Sequence, residues 1–318
     1  MSSEPSTFDA DAQAQRGLML GLLSAVGYSA TNMALKGLSV RHEDMGWAIW
    51  VSAMKAVPTL LACFVLLSRR RARKLPLFPS TRVLPALFIA GLVMQFGGNL
   101  GFQVALNHIG LAITVPLVFA FIIMAGAFLG RTFLGDAVTP RTVISMLLMT
   151  VSIAFLSYAA TLTQPVQPID GHARQPVVWF GILIAIVSGI SYGINGVVIR
   201  AVGKSVLPVE SMLLVYSLTG VVLLGIPGWQ MLGTDRIVHI RSDEWWLMIL
   251  AGTFNAAAFL CVCHALRIMR ITQVNVINAS QNAMCAVGAV LFFAEPLSVS
   301  MATGILLSVA GLLILDRR

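Results

Sequence analysis

Ten long apolar runs occupy most of this chain, at residues 17–38, 45–67, 83–106, 111–129, 143–160, 177–198, 212–229, 245–266, 271–293 and 297–315. Each is about 18 to 24 residues long, and at a helical rise of about 1.5 Å per residue each crosses a hydrocarbon core of about 30 Å. Helix is the expected conformation, because in lipid every backbone amide and carbonyl must find its partner within its own segment. With 58% hydrophobic and 11% charged residues, the chain cannot cover itself with a water-facing surface. The expected fold class is an all-α integral membrane protein.

The runs repeat. The stretch Phe293-Ala294-Glu295-Pro296-Leu297-Ser298 joins two of them, and Leu134-Gly135-Asp136-Ala137-Val138-Thr139 echoes it earlier in the chain. A shift of roughly 160 residues sets Gly17, Ser24, Tyr28 and Lys36 opposite Gly181, Ser188, Tyr192 and Arg200. The same shift pairs Ala90-Gly91 with Ala251-Gly252 and Ala105-Leu106 with Ala265-Leu266. Four segments are expected: a disordered cytoplasmic tail over 1–16, a five-helix module over 17–160, an extracytoplasmic linker over 161–176 and a second five-helix module over 177–318.

Basic residues set the expected orientation. Arg16, the cluster Arg69, Arg70, Arg71, Arg73, Lys74 and Arg82, then Arg131, Arg141, Arg200, Lys204, Arg267, Arg270, Arg317 and Arg318 fall on one side, which is expected to be cytoplasmic. Lys36, Arg41, Arg174, Arg236 and Arg241 fall on the other. Both termini are then cytoplasmic in a cell's inner (plasma) membrane, and an odd number of helices per module inverts the second copy relative to the first. The six tryptophans lie at helix ends on the outer side, where an interfacial aromatic belt is expected. The net charge of +8 is read as this topological signal, so no nucleic-acid partner is expected. The tail has neither a basic start nor a small-residue cleavage site and is not read as a signal peptide.

In these motifs the chain resembles the EamA-type branch of the drug/metabolite transporter superfamily. The matching features are Glu295-Pro296-Leu297-Ser298 followed by Gly304 and Gly311, the looser Asp136-Ala137-Val138-Thr139, and Ala105-Leu106 followed by Pro116. The second module keeps Ala265-Leu266 but has Asn275 where the proline would fall. The resemblance implies ten transmembrane helices in two inverted five-helix modules, and transport by alternating access. It also implies that export is common, without naming a substrate.

Polar residues at helical spacing within apolar runs mark either a cavity wall or hydrogen bonds between helices. Gln95, Asn99 and Gln103 form one such stripe, and Asn275, Asn278 and Asn282 another, with Gln281 beside it. Ser24, Tyr28, Thr31 and Asn32 correspond to Ser188, Tyr192 and Asn195 in the other module, and Asn255 lies near the middle of its run. Lys55 is the basic residue deepest in a run, and its position at mid-membrane costs roughly 2.5 to 3.5 kcal/mol. It is expected either to meet a substrate carboxylate or an acidic helix end, or to snorkel outward as an anchor. The expected substrate-binding set is Tyr28, Asn32, Lys55, Gln95, Asn99, Tyr192, Asn195, Asn255, Asn275, Asn278 and Asn282.

No catalytic residue, metal or cofactor is expected. The acidic residues fall in the tail, in loops or at run ends, so no buried carboxylate offers a proton relay. His264, alone within a run, reads as a packing group, as do Cys63, Cys261, Cys263 and Cys285. His-Glu-x-x-His, facing aspartates and Gly-x-Ser-x-Gly are missing, which argues against an intramembrane enzyme. The expected function is a secondary transporter, an exporter or facilitator, for a small polar or amphipathic metabolite such as an amino acid. The alternatives are export of hydrophobic compounds, which Phe96, Phe102, Phe119, Phe121 and the methionines would suit, or a receptor or channel. The expected partners are a small-molecule substrate and the lipid bilayer, with a monomeric state left open.

Overall fold

A computed structural model describes residues 7–39, 42, 44–77, 83–163, 178–203, 208–293 and 297–316. The helices are α1 (Thr7–Ser39), α2 (Met45–Ala72), α3 (Leu84–Leu92), a π-helical segment (Val93–Leu100), α4 (Gly101–Leu134), α5 (Pro140–Thr163) and α6 (Val178–Gly203). They continue as α7 (Val209–Leu232), α8 (Thr234–Val238), α9 (Ser242–Ile268), α10 (Ile271–Ala279), α11 (Gln281–Phe293) and α12 (Val299–Asp316). Seven stretches among the described residues are long and apolar enough to cross a membrane, and Pro140–Leu156 and Val299–Gly311 are shorter apolar helices. The chain is an all-α integral membrane protein.

Several elements depart from the sequence reading. The expected tail over 1–16 is helical from Thr7 onward, since its alanines and glutamines favour helix. α5 runs on to Thr163, into the expected linker, of which residues 164–176 lie outside the described residues. The motif residues Ala294-Glu295-Pro296 lie outside them as well. The expected run 271–293 is broken at Ser280, and the third run contains a π-helical stretch.

The expected third and fourth runs share α4, yet close contacts show the chain reversing within it. Against rising numbers on α6, Gly181 meets Ile109 and Ser191 meets Gly97, an antiparallel sense. Further on, Gly189 meets Val118 and Phe121, and Gly193 meets Ala125, a parallel sense. The helix that enters with Gly101 and the one that leaves toward Leu134 therefore form a hairpin astride α6. α1 has the same relation to the other end of the chain. It runs antiparallel to α9, with Gly17 at Met269, Gly27 at Ala258 and Gly37 at Leu247, and parallel to α10 and α11 through Gly21 at Ile277 and Asn32 at Gln281.

Two further antiparallel pairs flank this arrangement. α2 lies on α7, with Gly46 at Met231 and Gly228 against the Trp50 backbone. α5 lies on α12, where Ser145 Oγ donates to Gly311 O at 2.6 Å and Ser152 Oγ to Gly304 O at 2.5 Å. Hydroxyls that bond a neighbouring helix's carbonyl next to glycine hold the backbones close without exposing a polar atom to lipid.

At one end of the bundle a polar latch joins three segments. Gly135 ends α4 in the left-handed conformation (φ 66°), which turns Asp136 inward. The Asp136 carboxylate pairs with Arg200 on α6, Nη2 to Oδ1 at 3.1 Å, and accepts from the Ile271 amide at 3.3 Å. Arg200 also donates to the carbonyls of Leu266 and Met269. At the opposite end, Asp44 caps α2 by accepting from Trp47 N and pairs with Arg236 at 2.6 Å. Partial burial raises the Asp44 carboxyl, but the Arg236 and Trp47 hydrogen bonds outweigh it and hold the group below its usual range. The tryptophans expected to form an interfacial belt differ in exposure. Trp179, Trp229 and Trp246 are exposed, whereas Trp47 and Trp50 are buried in a cluster with Ala34, Leu38 and Met248, because the α2–α7 and α2–α9 contacts enclose them.

Two glycines on α6 separate packing from propensity. A Cβ at Gly189 would lie 2.5 Å from Val118 O and 2.6 Å from Phe121 Cβ, whereas one at Gly196 has Ile271 at 4.0 Å as its nearest neighbour. Gly189→Ala should lower the melting temperature of the purified protein in detergent, since overpacking costs about 1 to 3 kcal/mol. Gly196→Ala should leave it unchanged or raise it, since alanine favours helix by about 1 kcal/mol over glycine. Thermal unfolding of the two variants beside the parent protein checks this.

Candidate functional site

The π-helical segment Val93–Leu100 opens the site. Gly97 and Gly98 let this segment approach α6 so closely that a Cβ at either would collide with Ser191 or with the Tyr192 ring. Wider helical turns of this kind recur at functional positions because they re-aim side chains that a regular helix would point elsewhere. Here they turn Gln95 and Asn99 inward, both under 9% exposed.

A hydrogen-bonded chain results. Lys55 Nζ on α2 donates to Asn99 Oδ1 at 2.8 Å, and the Tyr192 hydroxyl on α6 donates to the same oxygen at 3.0 Å. Asn99 Nδ2 donates to Gln95 Oε1 at 2.8 Å, and Gln95 Nε2 to the Tyr216 carbonyl on α7 at 2.7 Å. Lys55 therefore points inward and does not snorkel outward; it is 6% exposed. The opposite wall is tied together at the helix break. Asn32 Nδ2 donates to Gln281 Oε1 at 3.0 Å, Gln281 Nε2 to Asn278 O at 2.9 Å, and Ser24 Oγ to Asn278 Oδ1 at 2.9 Å.

Between these walls lies a cavity of about 130 Å³. α1 contributes Tyr28, Thr31, Asn32 and Leu35, and α2 contributes Lys55. The first hairpin gives Asn99, Phe102, Phe119 and Ile122, and α6 gives Tyr192, Asn195 and Ile199. α9 adds Asn255, Phe259 and Val262, and the broken helix adds Asn275, Asn278 and Gln281. For scale, a cavity of about 150 Å³ admits benzene. No acidic residue is among the described lining residues. No cluster of described residues has the makings of a metal site, and the four cysteines are unpaired thiols. His264 Nδ1 lies 2.8 Å from Leu260 O in its own helix, a packing arrangement.

Nine of the eleven expected binding residues line this space: Tyr28, Asn32, Lys55, Asn99, Tyr192, Asn195, Asn255, Asn275 and Asn278. Gln95 and Asn282 do not. Gln95 is spent on Tyr216 O and Asn99, and Asn282 Nδ2 donates to Ala279 O at 3.0 Å, a carbonyl beside the Ser280 break. Thr31 and Gln281 belong to the lining, and their places in the polar stripes signalled it. Of the apolar patch of Phe102, Phe119, Ile122, Phe259 and Val262, the sequence pointed only to Phe102 and Phe119, and Phe96 and Phe121, named with them, are not among the lining residues, since lipid-facing and cavity-facing apolar residues look alike in sequence.

This division predicts different effects of substitution. Gln95→Leu removes the partner of a buried carbonyl and of Asn99, and should lower stability by about 1 to 3 kcal/mol. Tyr28 and Asn255 have no hydrogen-bond partner among the described residues, so Tyr28→Phe and Asn255→Leu should melt within a degree or two of the parent. Thermal unfolding in detergent reads both.

A model of the EamA-like transporter family matches residues 179–316. A search of characterised protein sequences finds no significant match. A solved structure described as "Crystal structure of protein" superposes with a TM-score of 0.66 over 94% of this chain and 96% of its own, at 15% sequence identity. That likeness establishes a shared fold and nothing about substrate. The second half of the chain is thus similar to the EamA-like transporter family, and seven apolar helices among the described residues are long enough to cross a membrane.

Proposed function

We propose that this protein is a secondary transporter that moves a small polar or amphipathic organic solute by alternating access, as an exporter or facilitator. The observation that carries the reading is the central cavity, whose walls come from both halves of the chain and place Tyr28 of α1 and Tyr192 of α6 at its lining. These tyrosines occupy equivalent positions in the proposed repeat. The paired contacts support the ten-helix inverted arrangement: α1 sits on α9 and the broken α10–α11 as α6 sits on the two limbs of the α4 hairpin. Two modules of opposite sense can exchange conformations and so open one site to either side in turn. The latch of Asp136 and Arg200 would close one of those sides.

In this reading the protein lies in the inner (plasma) membrane with both termini cytoplasmic, and the latch end faces the cytoplasm. Saturable flux and counterflow in sealed proteoliposomes test carrier activity directly. A ligand that stabilises the protein without crossing would favour a receptor, and flux without saturation or counterflow a channel. Topology has its own test. On a background lacking native cysteines, Asp235→Cys, in the exposed α8, should react with an impermeant maleimide added to intact cells, and Leu75→Cys, in the exposed turn after α2, should not. The reverse pattern would invert the orientation.

A further inference from the structure

The substrate's chemistry is written in the surroundings of one oxygen, and this inference rests on the transport reading above. Asn99 Oδ1 accepts from an ammonium and a hydroxyl, Lys55 Nζ at 2.8 Å and Tyr192 OH at 3.0 Å, carried by helices from different halves of the chain. The amide cannot turn away, because its nitrogen is held by Gln95 Oε1 and Gln95 is held in turn by the Tyr216 carbonyl. Its oxygen is thus fixed where two donors converge, the position a carboxylate oxygen would take.

A neutral amide is a weak match for those donors. Burying an ammonium is costly unless an opposite charge and further hydrogen bonds compensate it, and no described lining residue is acidic. The low dielectric of the site strengthens its attraction for an anion. The position on α7 equivalent to Lys55 is Ser217, whose hydroxyl bonds the Leu213 carbonyl of its own helix. The described cavity therefore holds one cation and suits one carboxylate. A second feature lies one turn along α6 from Tyr192. Asn195 lines the cavity and is 1% exposed, its Nδ2 donates to Ser191 O, and its Oδ1 is a buried acceptor without a partner.

We infer that the cavity takes a small carboxylate bearing a neighbouring hydrogen-bond donor, whose carboxylate displaces Asn99 Oδ1 as the acceptor for Lys55 and Tyr192. The donor, a hydroxyl or an ammonium, meets Asn195 Oδ1. The apolar remainder packs on Phe102, Phe119 and Phe259. Asn99 acts as a placeholder that satisfies the two donors while the cavity is empty.

An isosteric series tests this on the purified full chain. The probes are leucine, 2-hydroxy-4-methylpentanoate, 4-methylpentanoate and leucinamide, each measured by thermal shift and by exchange in proteoliposomes. Leucine and the hydroxy acid should stabilise the protein, 4-methylpentanoate less so, and leucinamide not at all. Lys55→Met should weaken binding of the two favoured probes by roughly ten- to a hundredfold, as loss of a charged hydrogen bond does. One arm needs no ligand. Asn99→Asp supplies a built-in carboxylate at the placeholder position but loses the bond from Nδ2 to Gln95 Oε1, so its reference is the Asn99→Asp/Lys55→Met double variant. It should abolish the response to carboxylates and melt above that double variant, which leaves the buried carboxylate unpaired.

Leucinamide binding as well as leucine, or an Asn99→Asp variant that melts at or below its Asn99→Asp/Lys55→Met counterpart, overturns the inference. Equal binding of 4-methylpentanoate and leucine removes the role given to Asn195. If amine or neutral solutes exchange across the vesicle while carboxylates do not, transport stands and the carboxylate assignment falls. If no solute exchanges, transport falls, and the Asn99→Asp melting still decides the placeholder.

Discussion

A hydrocarbon medium offers no water to a polar atom, and the inner architecture of this protein follows from that condition. Two helices depart from regular geometry within the bundle, one through π turns at Val93–Leu100 and one through the break at Ser280. Both departures release backbone groups, and side chains recapture them. Ser280 Oγ, Gln281 Nε2 and Asn282 Nδ2 donate to the carbonyls of Ile277, Asn278 and Ala279. Irregular backbone at membrane depth is tolerable only where protein or a cavity surrounds it, and both segments adjoin the central cavity.

The polar walls can converge because the helices come unusually close. Glycines on α1 and α6 admit α9 and the α4 hairpin to within a side chain's width, and Gly228 does the same for α2 against α7. Dispersion contacts and small-residue interfaces, in place of hydrophobic exclusion, hold such pairs together in lipid. Closeness also sets reach: Lys55 and Tyr192 meet on one oxygen because α2, the π segment and α6 leave no room for an intervening layer.

Charge is distributed asymmetrically over an otherwise paired framework. Asp136 and Arg200 neutralise each other where α4, α6 and the turn before α10 meet. Lys55 has only neutral partners among the described residues, which leaves the cavity net positive. In the proposed transport cycle a matched pair at the rim would serve closure and an unmatched cation at the centre recognition.

Sequence alone determined the membrane environment, the helical class and most of the lining, because run length and polar periodicity are local quantities that lipid enforces residue by residue. Tyr28, Asn99, Tyr192 and Asn278 were legible as cavity candidates for that reason. Tertiary structure decided which amides face the cavity and which serve the backbone. Gln95 and Asn99 share one stripe, yet Gln95 is bound to Tyr216 O while Asn99 meets Lys55. Asn278 lines the space while Asn282, four residues on, satisfies the break. These assignments depend on π turns, a helix break and glycine contacts between segments up to about 250 residues apart, such as Gly17 and Met269. No local pattern encodes them, because a side chain's partner is set by the neighbouring helix that packing brings within about 3 Å of it.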